Sequence, residues 1–222
     1  MKRIGIIAAL AGELQPLVHG WQKNGGLWTT RIGEIEYIAL AGGMGPICAA
    51  RSCEQVQREG ALDALVSVGW AGALTCGLKP PQAHVIAEVI DARTNDRFPT
   101  HSSHGQRLLS TDRVVRSHEK RSFAERFQAP LVDMEAAAVA RVAQQMNVPF
   151  YCFKAISDGY TDRLPDFNPF LTDNGKMRMG AFLAYSMLHP QYWAPLLRLG
   201  KNSKAAAQNL AALVTETLLP SR

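Results

Sequence analysis

The sequence predicts an α/β domain with a mostly parallel central sheet that is covered by helices on both faces. Short apolar runs alternate with helical patterns along the chain, and no repeat or low-complexity linker divides it. The 222 residues, 47% hydrophobic and 19% charged, are enough for one substantial core. We therefore expect residues 1–222 to form a single domain.

The predicted elements follow this alternation in order along the chain. Helices are expected where apolar residues recur at helical spacing, with Asp133 as a candidate N-cap of the alanine-rich helix: 12–21, 46–60 and 134–147. Strands are expected at short apolar runs bounded by turn residues: 3–10, 36–43, 61–70, 83–93, 107–115 and 148–157. From about residue 180 the pattern is helical, with breaks at Pro190 and Gly200, and a C-terminal helical extension begins at about 189.

The net charge bears on which partners the protein could bind. The net charge is +5, and the excess lies mainly in the last quarter, where Arg198, Lys201, Lys204 and Arg222 face only Glu216. No nucleic-acid-binding motif accompanies these residues, so a solvated helix face or contact with an anionic membrane remains.

The compartment is predicted from the cysteines and the N-terminus. The four cysteines form no CxxC pair and lack zinc-ligand spacing. The start, MKRIGIIAALAGEL, is more typical of a first strand and turn than of a signal peptide, and no apolar run is long enough to span a membrane. We expect a cytoplasmic protein.

Two acidic residues, Glu13 and Asp158, follow predicted strands, where ligands bind in open α/β sheets, and a third, Glu135, lies in the first turn of a predicted helix. Strand alternation puts Lys154 and Asp158 on one face of the predicted strand. A partly desolvated Asp158 could donate a proton. The alternative is a structural ion pair between Lys154 and Asp158, or a helix N-cap at Asp158. Glu135, at the start of the helix after VDM, could accept hydrogen bonds from sugar hydroxyls. Glu13 lies at the start of the first helix, and for both glutamates helix-start stabilisation is the alternative.

The glycine-rich stretch GGMGPICAA only partly matches a dinucleotide fingerprint. Gly43-x-Gly45 fits, but Pro46 and Cys48 follow, and no convincing acid ends the next strand. A tight turn into a helix is the simpler interpretation, which weakens the alternative of a nicotinamide-dependent oxidoreductase.

Together these motifs resemble the nucleoside phosphorylase/nucleosidase superfamily, most closely its 5′-methylthioadenosine/S-adenosylhomocysteine nucleosidases. The resemblance runs from residue 3 to about 160 and rests on IGIIAALAGEL, GGMGPICAA, VSVGWAGAL, STDRVV and VDMEAAAVARVAQQMNVPFYCFKAISD. It implies a three-layer αβα fold with a mixed, mostly parallel sheet and usually a homodimer. It also implies hydrolytic release of adenine without a cofactor or metal, and a role in purine nucleoside catabolism and methionine salvage.

The resemblance also implies roles for single residues. Asp158 matches the acid that protonates the leaving purine, and Glu13 matches the carboxylate that activates water. The substrate-binding positions that the resemblance implies are Glu135 and Met134 at the ribose, Lys154 near Glu135 and the water, Ser157 beside the acid, the backbone of Val114 and Val115 at the adenine edge, the Trp70-Ala71-Gly72 segment, and Phe167 over the base.

Three departures from the family pattern leave alternatives open. Trp70 stands where many relatives have serine, and Ser67 stands where phosphorylases carry a phosphate-binding arginine, so we favour water over phosphate as the nucleophile. The segment between 93 and 133 is short, and the tail 189–214 resembles that of hopanoid-associated members. The alternatives are therefore an adenosylhopane nucleosidase or phosphorylase with peripheral membrane contact, a phosphate-dependent nucleoside phosphorylase, and a nucleoside-binding sensor without catalysis.

Overall fold

The computed structural model describes residues 2–172 and 175–219. The strands, in chain order, are β1 (Lys2–Ala8), β2 (Gln22–Asn24), β3 (Leu27–Ile32), β4 (Ile35–Ala41), β5 (Ala64–Ala73), β6 (Ala83–Asp91), β7 (Arg97–Pro99), β8 (Gln106–Ser110), β9 (Leu131–Asp133) and β10 (Phe150–Asp158). The α-helices are α1 (Ala11–Leu14), α2 (Pro46–Gln57), α3 (Lys120–Phe127), α4 (Ala136–Gln145), α5 (Met179–Met187) and α6 (Trp193–Leu218).

The described strands form one mixed sheet, part of which closes on itself. Parallel pairings join β4 to β1, β1 to β5 and β5 to β10. From β10 the sheet continues antiparallel to β6, parallel to β8 and β9, and then antiparallel back to β5. Strands β5, β10, β6, β8 and β9 therefore form a closed ring, while β4, β3 and β2 extend the open side.

Helices cover both faces of this sheet, which confirms the predicted three-layer arrangement. Strand alternation sends Ile7 into a core with α2 and α4, and its neighbour Ile6 into an opposite core with α1 and α6. Helix α3 packs over the ring against Leu109 and Val115.

The element predictions differ from the structure mainly at short or polar segments. Strands β2, β3, β7 and β9 and helix α3 were not predicted, because they are short, exposed or highly charged. The strand predicted over 107–115 ends at Ser110, and the first helix covers only Ala11–Leu14 of the region predicted.

The C-terminal region is helical as predicted, but the break at Gly200 was wrong. A turn of 3-10 helix at Pro190–Tyr192 separates α5 from α6, and α6 then continues through Gly200 for 26 residues. An exposed glycine costs a helix only about 1 kcal/mol, and packing of the second half of α6 outweighs this. Ala206, Leu210 and Val214 enter the core, and the Tyr37 hydroxyl donates a hydrogen bond to the Leu218 carbonyl at 2.9 Å.

Within residues 2–172 and 175–219, no helix has both the length and the hydropathy that a membrane-spanning segment needs.

Candidate active site

Glu13 is a buried carboxylate held by backbone N–H groups from two segments. Its Oε2 accepts hydrogen bonds from Ala9 at 2.9 Å and Leu10 at 2.8 Å, and its Oε1 accepts one from Trp70 at 2.8 Å. A Cβ atom at Gly69 would lie 2.8 Å from Oε1, so the close approach of β5 requires glycine there. Burial raises the pKa of Glu13 although these hydrogen bonds act in the opposite direction.

Glu135 lies at the start of α4 and reaches the glycine-rich turn after β4. Its Oε1 accepts a hydrogen bond from the Gly45 N–H at 2.7 Å, which gives the GGMGP motif a role in positioning a carboxylate. Burial, followed by the neighbouring charge of Asp133, raises the pKa of Glu135 to about 8. Glu135 thus gains or loses a proton close to neutral pH.

Lys154, the lysine inside the apolar strand β10, forms a buried ion pair with Asp133. The Lys154 Nζ and Asp133 Oδ2 atoms are 2.8 Å apart, and the two side chains are 1% and 0% exposed. Burial lowers the pKa of Lys154, but the charge of Asp133, its hydrogen bond and the nearby Cys152 and Glu135 together outweigh burial, so the pKa is raised overall and the ammonium stays protonated.

Lys154 and Asp158, which were expected on one face of β10, therefore have different partners. The pairing of β10 with β5 shifts register between Ile156 and Asp158. Lys154 forms its ion pair with Asp133, the last residue of β9. The structural ion pair that was the alternative interpretation does exist, but its acid is Asp133.

Asp158 has its own cationic partner, Lys120 at the start of α3. The Lys120 Nζ donates to Asp158 Oδ2 at 2.7 Å and to the Gly159 carbonyl at 2.8 Å, and the lysine is buried. The Ser157 hydroxyl donates to Asp158 Oδ1 at 3.1 Å. Sequence reasoning missed Lys120, because the run RSHEKRSF has the charge density of a solvated surface.

One cavity of about 180 Å³ lies between these carboxylates. Its lining contains ten of the twelve predicted site residues: Glu13, Trp70, Ala71, Gly72, Val114, Val115, Met134, Glu135, Ser157 and Asp158. Lys154 and Phe167 do not line it. The lining also includes residues that were not predicted, among them Met44, Thr111, Arg113, Lys120 and Asp133.

Val114 and Phe167 are placed differently from the expectation. The Val114 N–H donates to Asn168 Oδ1 at 2.9 Å, and Asn168 Nδ2 donates to the Val114 carbonyl at 3.0 Å. The backbone edge of Val114 is thus already paired, while the neighbouring Val115 has no such pairing to Asn168. Phe167 packs against Phe182 of α5, with ring centroids 5.4 Å apart, and not over the cavity.

The cavity carries more carboxylates than cations. Glu13, Asp133, Glu135 and Asp158 face two cations, and each cation is already paired with a carboxylate. Lys120 holds Asp158, and Arg113 binds Glu119 through two hydrogen bonds of 2.6 and 2.8 Å. Within the described lining, both cations are therefore already engaged by carboxylates and neither is free to bind an incoming anion.

The first comparison with known proteins concerns the family. A family model described as the phosphorylase superfamily matches residues 3–114 and 105–184, which together cover most of the chain. The chain belongs to the phosphorylase superfamily.

One relative in sequence and two solved structures are similar to this chain over most of their length. A 5′-methylthioadenosine/S-adenosylhomocysteine nucleosidase from Buchnera aphidicola is 26% identical over 70% of this chain and 78% of its own. The nucleosidase of the same description from Helicobacter pylori has a TM-score of 0.71 at 18% identity, with 97% of each chain covered. A Helicobacter pylori futalosine hydrolase has a TM-score of 0.72 at 18% identity, with 96% of each chain covered.

These structures show the fold of this superfamily member and also bear on its C-terminus. Because 97% of the chain is covered in the first structural alignment, the 26-residue helix α6 cannot lie wholly outside the shared fold.

Proposed function

We propose that the protein is a purine nucleosidase that hydrolyses the N-glycosidic bond of 5′-methylthioadenosine- and S-adenosylhomocysteine-type nucleosides and releases adenine. The observation that carries this proposal is the buried Glu13 carboxylate, which three backbone N–H groups hold at a cavity with no cation available for phosphate. Such a site favours neutral water over phosphate as the nucleophile. The nucleosidase relatives support the choice of substrate class.

The chemistry divides between the two ends of the cavity. Glu13 takes a proton from water as the water oxygen bonds to the anomeric carbon. The bond from that carbon to the purine breaks, its electron pair moves onto the base, and Asp158 delivers a proton to a ring nitrogen. Glu135 accepts hydrogen bonds from the ribose hydroxyls, and when it is ionised its negative charge stabilises the oxocarbenium-like cation.

Ser157 and Lys120 position the acid through their contacts with the two Asp158 oxygens. Met134 and Trp70 supply apolar lining beside the sugar and the nucleophile.

The test is adenine release from methylthioadenosine by the wild type and by Asp158→Asn, with and without phosphate. We expect phosphate-independent release that falls by about 10²–10⁴-fold in the variant, the contribution of one positioned general acid. The matched control is Asp63→Asn, at the opposite end of β5, which should retain wild-type activity. Release only with phosphate would show a phosphorylase, and tight binding without release would show a nucleoside sensor.

A second candidate is release of adenine from a nucleoside with a large apolar 5′ substituent, such as adenosylhopane. The observation that favours it is the exposed apolar side of α5. The buried side of the same helix packs through Phe182 against Phe167, the neighbour of Asn168, which binds Val114 of the cavity lining. The same assay with that nucleoside distinguishes the two candidates through the ratio of their kcat/KM values.

We further propose that the chain is one domain that acts as a cytoplasmic homodimer. Packing of α6 into the core supports a single domain. None of the four cysteines, all within the described residues, forms a disulfide, as is usual in a reducing compartment. Sedimentation analysis of the purified protein tests the dimer.

A further inference from the structure

Helix α5 and the first half of α6 carry an unusual concentration of exposed apolar side chains. Eight large apolar residues in the described structure are prominently exposed, and six of them lie in this region. The six, which are between 54% and 80% exposed, are Met179, Leu183, Met187, Leu188, Trp193 and Leu197. We call them, together with Lys201 and Lys204, the α5–α6 face.

The spacing of these residues places them on one side of each helix. Met179, Leu183 and Met187 recur every four residues along α5, and Phe182 and Ser186 on the adjoining flank of the helix are buried. Trp193, Leu197, Lys201 and Lys204 follow the same helical stripe along α6. Each helix thus carries an exposed stripe, which is apolar on α5 and changes from apolar to basic along α6.

Contacts between the two helices hold this face rigid. The Trp193 indole N–H donates to the Ser186 carbonyl at 2.8 Å, and the Tyr185 and His189 rings stack with centroids 3.9 Å apart. Behind the face, Phe182 packs against Phe170 at 5.4 Å. The apolar side chains are therefore displayed by a fixed scaffold.

The charged residues within the segment 175–215 have a single sign. Residues 175–215 contain no aspartate or glutamate and five cations: Lys176, Arg178, Arg198, Lys201 and Lys204. Of these, Arg198 approaches an acid outside the segment, Asp162, at 3.8 Å. A second copy of the chain docked face to face would bring these cations together with no acid in the segment to neutralise them.

We propose that the α5–α6 face docks the protein on the surface of an anionic lipid bilayer. Apolar side chains with tryptophan, flanked by lysines on the same face, are the features of helices that lie in the membrane interface. Each basic residue near an anionic surface adds to the attraction. This proposal does not depend on the nucleosidase activity, since it concerns a surface outside the cavity.

The test is cosedimentation of the full chain with vesicles of phosphatidylcholine alone or with about 30% phosphatidylglycerol, at about 0.15 M salt. We expect binding to the anionic vesicles only. The double variant Leu183→Ser/Met187→Ser should weaken binding at least about tenfold, because each buried leucine or methionine contributes more than one decade of affinity. Lys201→Gln/Lys204→Gln should weaken it as well. The matched control is Ile47→Ser on α2, a similarly exposed apolar residue outside the face.

Circular dichroism and thermal unfolding establish that each variant is folded before its binding is compared. Absence of binding to anionic vesicles by the folded wild type would overturn the proposal. So would equal binding by the Leu183/Met187 variant, which would reveal mere ion exchange with the lysines. A dimer in sedimentation that the same variant dissociates, without vesicle binding, would assign the face to a second copy instead.

Discussion

Replacement of Lys154 by methionine tests whether its main role is to neutralise Asp133. Methionine keeps most of the side-chain volume but leaves the Asp133 carboxylate buried and without its cation, 2.8 Å from where Nζ stood. At this distance the attraction between the two charges is about 6 kcal/mol with an effective dielectric of about 20. Desolvation offsets part of that energy, and removal of one partner of a buried pair costs about 3–5 kcal/mol.

The expected result is a loss of about 3–5 kcal/mol in the free energy of unfolding, measured by urea denaturation. For a chain of this size it corresponds to a fall in Tm of about 6–20 °C. The double variant Lys154→Met/Asp133→Asn should recover most of this loss, because no unpaired charge is then buried. Lys79→Met, at an exposed lysine, is the matched control and should change stability by less than about 0.5 kcal/mol.

Two results would refute this reasoning. One is a cost below about 1 kcal/mol for Lys154→Met, since a buried charge would then have lost its partner without penalty. The other is a double variant no more stable than the single one. If the double variant folds but releases no adenine, the ammonium or the Asp133 charge acts on the site as well as on the fold.

Three further predictions concern single groups. The pKa of Glu135 is about 8 in the folded protein, against an ordinary value of 4.5 for a solvated glutamate, so its burial opposes folding increasingly as the pH rises through this window. Glu135→Gln should therefore gain a few kcal/mol of stability over the wild type between about pH 5 and pH 8, and an unchanged difference in urea titrations across that range would contradict this. Lys120→Met should lower kcat by at least about tenfold with little change in KM, because Asp158 loses its positioning partner; unchanged kcat in the folded variant would leave Lys120 a purely structural role. Tyr37→Phe should cost about 1 kcal/mol in denaturant unfolding through loss of the hydrogen bond to Leu218, and a neutral result would mean that water replaces the bond.

The acids of the candidate site were predictable because parallel strands end at the same edge of a sheet. Glu13 and Asp158 each follow a predicted strand, Glu135 was singled out at a predicted helix start, and the structure places all three on one cavity. Their apolar surroundings in sequence also indicated burial.

The partners of these acids were not predictable from local patterns. Lys120 reaches Asp158 from a helix 38 residues earlier, and its neighbours in sequence are those of a solvated surface. Lys154 pairs with Asp133 at the end of β9, and a register shift between Ile156 and Asp158 takes Asp158 out of strict alternation with Lys154, which sequence spacing does not reveal. Phe167 was assigned by a loose alignment across a loop, where neither spacing nor burial fixes the direction of a side chain.

The closed ring of strands determines when the cavity first exists during synthesis of the chain. β5 and β6 emerge early, but β10, which joins them, follows about sixty residues later and ends at Asp158. Glu13 is therefore synthesised long before Asp158, the acid that lines the same cavity. A nascent chain that lacks β10 also lacks Ser157 and Asp158 of the cavity lining. Substrate can therefore stabilise only a chain in which β10 has been synthesised.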